Sequence, residues 1–239
     1  MQLLTPARSQ AEPHISGSTQ NGQPFLNLRA ETLAQFNALA MELDYARGAH
    51  LFLEGERPKW IYIVVSGRIK LSVTSREGRT AILRIAGAGD VLGMNAVLAG
   101  TAHEISAEAV EPSHVKAVRT ADFLAFIQKY PEAAMETTRC MMREYQLIFN
   151  NICRLALPAT VSGRLANLLL EWLHTRRTPA PQQGRVTVTL THGEIAEMTN
   201  TSRETVSRVL TQFQREKLIS MKGASLTVLR PQALEQLAT

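Results

Sequence analysis

The chain has 239 residues, of which 45% are hydrophobic and 20% charged, with a formal net charge of +5. This composition is typical of a globular protein that is long enough for two cores. Because no apolar run reaches the length of a membrane span and the N-terminus lacks a signal-peptide core, we expect a cytoplasmic protein with no membrane partner. Two cysteines, Cys140 and Cys153, exclude a disulfide framework and a cysteine-ligated zinc site.

The first part of the chain predicts a tail, a helix and a β domain. Residues 1–24 are polar and predict a flexible tail, and we assign residues 25–130 to one domain. Leu33, Phe36, Leu39 and Leu43 have the spacing of a short amphipathic helix. After Gly48, short β runs separated by glycines predict a barrel or a double-sheet jelly roll. The runs are Leu51–Leu53, Trp60–Val65, Ile69–Thr74, Thr80–Ile85 and His114–Val118.

Much of this β region also resembles a known domain. Residues 48–93 resemble a cyclic-nucleotide-binding β-roll, including its glycine spacing. Their sequence is GAHLFLEGERPKWIYIVVSGRIKLSVTSREGRTAILRIAGAGDVLG. The resemblance implies that residues 25–130 form a sensor domain. It does not by itself imply that the ligand is a cyclic nucleotide.

Two helices are predicted to follow, a short one over 121–129 and a long one over 131–157, separated at Tyr130-Pro131. Along the long helix, one set of side chains recurs with alternating spacings of four and three, which is typical of a seam between two helices. We therefore predict a homodimer. Its interface comprises Ala134, Thr138, Met141, Tyr145, Ile148, Ile152 and Leu155.

The alternative is that the long helix packs only against its own β-roll. A second row on the same helix, Met135, Met142 and Phe149, would serve that contact while the first row faces the partner. Neither cysteine lies in the predicted interface, so we expect no disulfide across the dimer axis.

Residues 158–239 predict several short elements. Residues 157–159 form a candidate hinge, and Thr160 can cap the helix that follows. Residues 175–184 predict a loop and Arg185–Leu190 a strand. Ser220–Val228, turning at Gly223, predicts a β-hairpin, and Pro231–Leu237 predicts a final helical turn. This part carries 10 Lys/Arg and 6 Asp/Glu, net +4, whereas residues 1–158 carry 16 and 15, net +1. The excess of positive charge suits a phosphate-bearing partner.

The stretch from Thr191 to Phe213 has the pattern of two helices that meet at a tight turn. Thr191 and Glu194 have the spacing of a capping box, and Asn200 tolerates the left-handed backbone of a turn. Thr201 or Ser202 can cap the second helix. The pattern predicts a helix-turn-helix. The apolar face of its second helix comprises Val206, Val209, Leu210 and Phe213.

The opposite face of that second helix carries Arg203, Glu204, Ser207 and Arg208. An arginine fork can pair with guanine, a glutamate accepts from the amino group of cytosine, and a serine contacts either partner. The alternative is a solvated face in which residues four apart pair with each other. The run SRETVSRVLTQFQREKLI at residues 202–219 resembles the recognition helix of the Crp/Fnr superfamily of bacterial transcription regulators, and this resemblance implies double-stranded DNA as the partner. Ser207 beside Glu204 and Arg208 resembles the Fnr-type reader, which implies TTGA-like half-sites. The predicted DNA contacts are Thr191, His192, Thr201, Ser202, Arg203, Glu204, Ser207, Arg208 and Lys222.

The sensor departs from the cyclic-nucleotide members of this superfamily. Those members present a Gly-Glu pair that holds the ribose and a later Arg that holds the phosphate. Here Gly93 is followed by Met94, Glu104 stands at the expected Arg position, and no Arg occurs between Arg84 and Arg119. We therefore expect no tight binding of cyclic AMP. The candidate effector pocket comprises Gly93, Met94, Asn95, Glu104, Ile105 and Ser106.

No cofactor and no metal site are predicted. An iron–sulfur cluster needs more cysteines than the chain contains. Haem, with His50, His103 or His114 as the axial ligand, stays open beside an unidentified small effector, a cysteine oxidation signal or no effector at all.

These observations predict an α+β protein with an N-terminal β-roll (jelly roll), a long dimerisation helix and a C-terminal winged helix-turn-helix at 158–239. The predicted function is a homodimeric, sequence-specific transcription regulator and not an enzyme, with RNA polymerase as a further partner if it activates. One alternative is a ligand- or haem-sensing module of the same fold. The other is a cupin-like metalloenzyme, against which the dispersed histidines argue.

Overall fold

A computed structural model of the chain describes residues 27–156, 160–175, 185–187, 190–222 and 225–238. The predicted tail, the candidate hinge and nearly all of the predicted loop at 175–184 lie outside the described residues. In the part of the chain that is described, no helix combines the length and the apolar character needed to cross a membrane.

The N-terminal helix is shorter than predicted. Helix α1 spans Ala30–Leu39, and the chain is extended at Ala40 before strand β1, Met41–Tyr45. Leu43, which we predicted to be helical, lies in β1 and pairs with Val115 in an antiparallel ladder. Helical spacing extended past Leu39 by coincidence, and pairing with a distant strand decided the conformation of Leu43.

Two four-stranded antiparallel sheets form the β-roll, in the orders β1-β8-β3-β6 and β2-β7-β4-β5. All five predicted β runs are strands. Strands β1, β6 and β7 and helix α2 were not predicted, because each has only two to six residues, too few for a clear periodic pattern. The further elements are β2 His50–Phe52, β3 Trp60–Ser66, β4 Ile69–Thr74, β5 Thr80–Ala86, β6 Val91–Leu92, α2 Met94–Ala99, β7 Ser106–Ala109 and β8 Ser113–Arg119.

Helix α3, Thr120–Lys129, and the long helix α4, Pro131–Ala156, follow the β-roll as predicted. One side of α4 packs on the sensor through buried Ala133 and half-buried Cys140 and Met141. The other side carries six large apolar side chains that are 40–60% exposed, which we call the α4 apolar row. Its members are Met135, Met142, Tyr145, Ile148, Phe149 and Ile152.

This arrangement corrects the interpretation of the second row on α4. Met135, Met142 and Phe149 are each more than half exposed, so the expectation that they pack on the β-roll is wrong. Met141, predicted to face a partner, is half-buried and packs in part against the sensor cluster. A repeat of spacings three and four fits two neighbouring stripes on one helix, and only tertiary packing decides which stripe is covered.

The C-terminal part contains a helix-turn-helix followed by a small three-stranded sheet, in the order β10-β11-β9. The predicted cap at Thr160 is confirmed, because its Oγ1 accepts the N–H of Gly163 at 3.0 Å. Strand β9 is described over Arg185–Thr187, residues 188–189 lie outside the described residues, and Leu190, the predicted end, is not in a strand. The elements are α5 Val161–Thr175, β9 Arg185–Thr187, α6 His192–Thr199, α7 Arg203–Arg215, β10 Ile219–Lys222, β11 Ser225–Val228 and α8 Pro231–Ala238.

The β-roll packs against the C-terminal part through strand β5, which contains a β-bulge. Leu71 pairs with Arg84 and Ser72 pairs with Ile82, so Leu83 is the extra residue of β5. Because of this extra residue, Ile82 and Ile85 share the outer face of the sheet, and Arg84 points to the inner side. Ile82 is 1% exposed and Ile85 half-buried, and both pack in the apolar cluster of the C-terminal part. We call Ile82 and Ile85 the docking patch.

Candidate DNA-binding surface and sensor cavity

The helix-turn-helix is held by local hydrogen bonds. Thr191 Oγ1 accepts the N–H of Glu194 at 3.2 Å, and the Glu194 carboxylate accepts the N–H of Thr191 at 2.7 Å, which confirms the capping box. Asn200 has the left-handed φ of 49° that the turn requires. Ser202 caps α7 by accepting the N–H of Thr205 at 3.2 Å, and Thr201 is half-buried in the turn. The turn therefore fixes where α7 begins.

Helix α7 is divided into a buried and an exposed face. Its exposed face carries Arg203, Glu204 and Arg208, and no salt bridge joins these three to any described residue. Hydrogen bonds from its own backbone N–H and from the Ser202 hydroxyl hold the pKa of Glu204 below its ordinary value, so this carboxylate stays charged. The buried face consists of Val206, Val209, Leu210 and Phe213, each at most 5% exposed.

Two predicted DNA contacts touch each other. The Ser207 hydroxyl donates to the carbonyl of Arg203 at 3.0 Å, and its oxygen lies 2.8 Å from His192 Nδ1. Which of these two atoms donates depends on the tautomer of His192. Through this contact, His192 holds Ser207 in one orientation on α7. The two residues are fifteen positions apart, and no local pattern indicates the contact.

The surroundings of the helix pair include further polar groups. Lys222 is exposed at the end of β10, in the predicted wing, whose turn at Gly223 lies outside the described residues. Arg164 on α5 donates from Nε to the carbonyl of Thr199 at 2.9 Å. This bond satisfies a C-terminal carbonyl of α6 and was not foreseen in the sequence.

A cavity of about 1240 Å³ lies between the β-roll, α4 and the C-terminal part. Five of the six predicted pocket residues line it, and the sixth does not. Ser106 turns its hydroxyl to the backbone N–H of Glu54, at 2.9 Å, and lies outside the lining. The five that line it are Gly93, Met94, Asn95, Glu104 and Ile105.

Gly93 and His103 shape one wall of the cavity. Gly93 has a left-handed φ of 81°, and a Cβ there would approach His103 Cε1 to 3.2 Å and the carbonyl of Trp60 to 3.3 Å. The His103 ring is stacked on Phe52, with 3.9 Å between ring centroids. His103 is 5% exposed, and this burial lowers the pKa of its imidazole, which favours the neutral form at pH 7.

Of the three histidines considered as haem ligands, His103 alone lines the cavity. His50 Nε2 lies 3.8 Å from the Glu108 carboxylate, and His114 Nδ1 lies 2.8 Å from that of Asp44. Among the described residues, no group of three or more His, Cys, Asp or Glu side chains is arranged to hold a metal ion.

A charged network that was not predicted lies at the cavity wall. Arg84 donates from Nη1 to Asp90 at 2.9 Å and from Nη2 to Glu144 on α4 at 2.7 Å. Asn151 on α4 also donates to the carbonyl of Leu83. A single arginine inside the apolar run TAILRIA was the available signal, because a charge in a buried strand needs a partner. The network ties β5 to the long helix.

Both cysteines are half-buried and line the cavity. Arg143 donates to Cys140 Sγ at 2.9 Å, yet burial dominates and raises the pKa of this thiol. Cys140 therefore stays protonated, which disfavours its oxidation.

Comparisons with known proteins match both parts of the chain. The family model of the cyclic nucleotide-binding domain matches residues 42–130, and that of the Crp-like helix-turn-helix domain matches residues 163–237. The fumarate and nitrate reduction regulatory protein of Shigella dysenteriae is 30% identical over 206 residues, covering 84% of this chain and 80% of that protein. The CRP-like cAMP-activated global transcriptional regulator of Mycobacterium tuberculosis is 28% identical over 204 residues, covering 85% and 91%.

A solved structure extends the likeness to the fold. FixK2 from Bradyrhizobium japonicum superposes with a TM-score of 0.75 at 22% identity, covering 84% of this chain and 98% of that one. The predicted α+β architecture is confirmed by this likeness and by both family models. The chain belongs to the Crp/Fnr superfamily of transcription regulators, whose helix-turn-helix domain binds DNA.

Proposed function

We propose that the protein is a homodimeric cytoplasmic regulator that binds an inverted-repeat operator through α7. The observation that carries the proposal is the exposed face of α7, where Arg203, Glu204 and Arg208 stand clear of other described charges while the opposite face is buried. The capped turn and the His192–Ser207 bond fix this face before DNA arrives. The proposed contacts are Thr191, His192, Thr201, Ser202, Arg203, Glu204, Ser207, Arg208 and Lys222.

The α4 apolar row supports a dimer. Contiguous exposed apolar surface of this kind is rare on a monomer and marks an interface. Along the row, Met135, Thr138, Met142, Tyr145, Phe149 and Ile152 keep spacings of three and four, as a two-helix seam requires. We therefore retain Thr138, Tyr145, Ile148 and Ile152 from the predicted interface and add Met135, Met142 and Phe149. Ala134 and Met141, also from the predicted interface, are half-buried and lie at the edge of the α4 apolar row. The Leu155 side chain lies outside the described residues.

The operator follows from the two-fold axis of such a dimer. Two copies of α7 would enter successive major grooves on one side of the duplex, about 34 Å apart. Fluorescence anisotropy with a labelled duplex of two inverted TTGA-like half-sites, one helical turn apart, tests this geometry. We expect binding about 10³-fold tighter than to a scrambled duplex. Equal affinity for both duplexes would contradict sequence-specific recognition.

The cavity does not suit cyclic AMP. Met94 is 4% exposed and provides no carboxylate for a ribose, and Glu104 places an acid where a phosphate needs a cation. Isothermal titration of cyclic AMP into the purified protein should show no binding at micromolar concentrations. A dissociation constant of about 1 μM or lower, near −8 kcal/mol, would contradict this assignment.

If the protein activates transcription, RNA polymerase is a further partner. Run-off transcription from a template with the operator upstream of a promoter separates activation from repression. More transcript in the presence of the protein would support contact with the polymerase, and less would indicate repression.

A further inference from the structure

The cavity is lined by residues of the β-roll, of α4 and of the C-terminal part. Its walls include Phe52 of the β-roll, Leu147 of α4 and Asn167 and Leu170 of α5 in the C-terminal part. A molecule that filled this space would contact the sensor, the proposed dimerisation helix and the DNA-binding domain together. At about 1240 Å³ the cavity exceeds the usual range of about 300–1,000 Å³ for small-molecule sites.

The charged groups in its walls are satisfied by one another or lie near solvent. Four carboxylates line the cavity, from Asp90, Glu104, Glu144 and Glu171, against two arginines, Arg84 and Arg143. Arg84 is held by Asp90 and Glu144, and Arg143 donates to Glu136 at 3.2 Å. An anionic ligand would have to separate these pairs and face an excess of negative charge. Glu104 and Glu171 are exposed, so a cation would gain no buried carboxylate from them.

The imidazole of His103 lines the cavity. The residue is 5% exposed, its ring nitrogens are not fully buried, and none of the described residues hydrogen-bonds to them. Its backbone is fixed on both sides, since its carbonyl accepts the N–H of Gly55 at 2.8 Å and its N–H donates to the carbonyl of Glu56 at 2.9 Å. Stacking on Phe52 fixes the ring itself. The imidazole is thus rigidly held and lacks a hydrogen-bond partner.

From these observations we propose that the cavity binds an uncharged, predominantly apolar small molecule with one hydrogen-bonding group, which His103 holds. The apolar part of the lining matches such a ligand, with Phe52, Leu92, Met94, Ile105 and Leu147 as contacts, and the amides of Asn95, Gln146, Asn150 and Asn167 line the remainder. The proposal rests on the proposed function, because it names the class of effector for this regulator. Binding would connect the β-roll, α4 and α5 through one ligand.

Two fluorescent probes that differ in one charge test the ligand class. N-phenyl-1-naphthylamine is uncharged, and 1-anilinonaphthalene-8-sulfonate carries the same rings with an added sulfonate. In titrations of the full chain, we expect the uncharged probe to saturate at one molecule per protomer and to bind at least about tenfold tighter than the sulfonate. Equal or tighter binding of the sulfonate would overturn the proposal.

Variants locate the site. Leu147→Trp fills part of the cavity and should weaken binding of the uncharged probe at least about tenfold. Leu98→Trp makes the same change at an exposed residue outside the lining and should leave probe binding unchanged. Equal losses in both variants would overturn the site. His103→Phe keeps an aromatic ring at this position but removes the nitrogens, and it should weaken binding of the uncharged probe about threefold to tenfold, whereas unchanged binding would overturn the role of His103. Circular dichroism checks that each variant folds.

The same samples distinguish this proposal from the function on which it rests. Operator binding is measured without probe, by the anisotropy assay described above. Loss of specific DNA binding with the probe pattern intact contradicts the proposed function alone. Intact DNA binding with a failed probe pattern overturns the ligand class alone.

Discussion

Arg208 on α7 and Arg84 in the cavity wall show two opposite uses of the same side chain. Arg208 is exposed and forms no salt bridge with another described residue, so its fork is available to a base or phosphate. Arg84 has a side chain that is 10% exposed and is bound by two carboxylates. The exposed face of α7 can therefore bind a charged partner in place of water. In the cavity wall the charge of Arg84 is already paired within the chain, which favours a neutral ligand.

In the proposed function, operator binding through α7 needs two copies of the chain, whereas the cavity needs one. Phe149→Glu should therefore abolish operator binding and leave probe binding in place. A glutamate in the α4 apolar row would be buried without a partner in the proposed dimer, and the dimer should dissociate. We expect monomers by light scattering and loss of specific operator binding, because one α7 cannot occupy two half-sites. The residues that line the cavity in this structure come from one chain, with Ile148 at the border of the α4 apolar row, so probe binding should persist.

Gln128→Glu is the matched control, since it adds the same charge at an exposed position of α3. It should stay dimeric and bind the operator as before. A Phe149→Glu protein that remains dimeric at micromolar concentration would place the interface elsewhere.

Arg84→Met should have the next largest effect, on stability. It leaves Asp90 and Glu144 without their cation, and breaking a buried pair costs about 3–5 kcal/mol. Urea unfolding measures this loss. Arg68→Met removes the arginine of a more exposed pair with Glu111 and should cost at most about 1 kcal/mol. Similar losses in both variants would show that the Arg84 network is no more than surface pairing.

Arg208→Lys should affect DNA binding and leave stability unchanged. The substitution keeps the charge but removes the planar fork, so specificity at one base pair should fall by about 1–3 kcal/mol. Anisotropy with operators altered at single positions measures the effect. If the variant keeps full specificity and only the salt dependence of binding changes, Arg208 contacts phosphate and not a base.

The smallest expected effect is a pH dependence of stability from His103. Burial lowers the pKa of this imidazole in the folded protein, although the carboxylate of Glu56 opposes the shift. Below the ordinary pKa of 6.5, the unfolded chain therefore binds a proton more readily than the folded protein. Stability should fall as the pH drops through that value and level off below the folded pKa, with a slope of at most about 1.4 kcal/mol per pH unit. His103→Phe should flatten this part of the profile in thermal unfolding, and an unchanged slope would contradict the assignment.

The sequence predicted best those features that depend on neighbouring residues. The capping box at Thr191, the turn at Asn200 and the buried face of α7 are all set within one or two helical turns. Leu43 was misplaced because a distant strand decides its environment. The charged wall of the cavity forms where Arg84 meets Glu144, sixty residues away, and no local period contains that information.

The bulge at Leu83 has a consequence for building hybrid regulators. Ile82, a sensor residue, completes the apolar cluster of the DNA-binding part, so that part is not a self-contained module. Grafting it onto another sensor would expose apolar surface unless the new strand carries both the extra residue and two apolar side chains on its outer face. A DNA-binding domain that looks exchangeable from its position in the sequence is therefore restricted by a sensor strand, β5, more than one hundred residues upstream of α6.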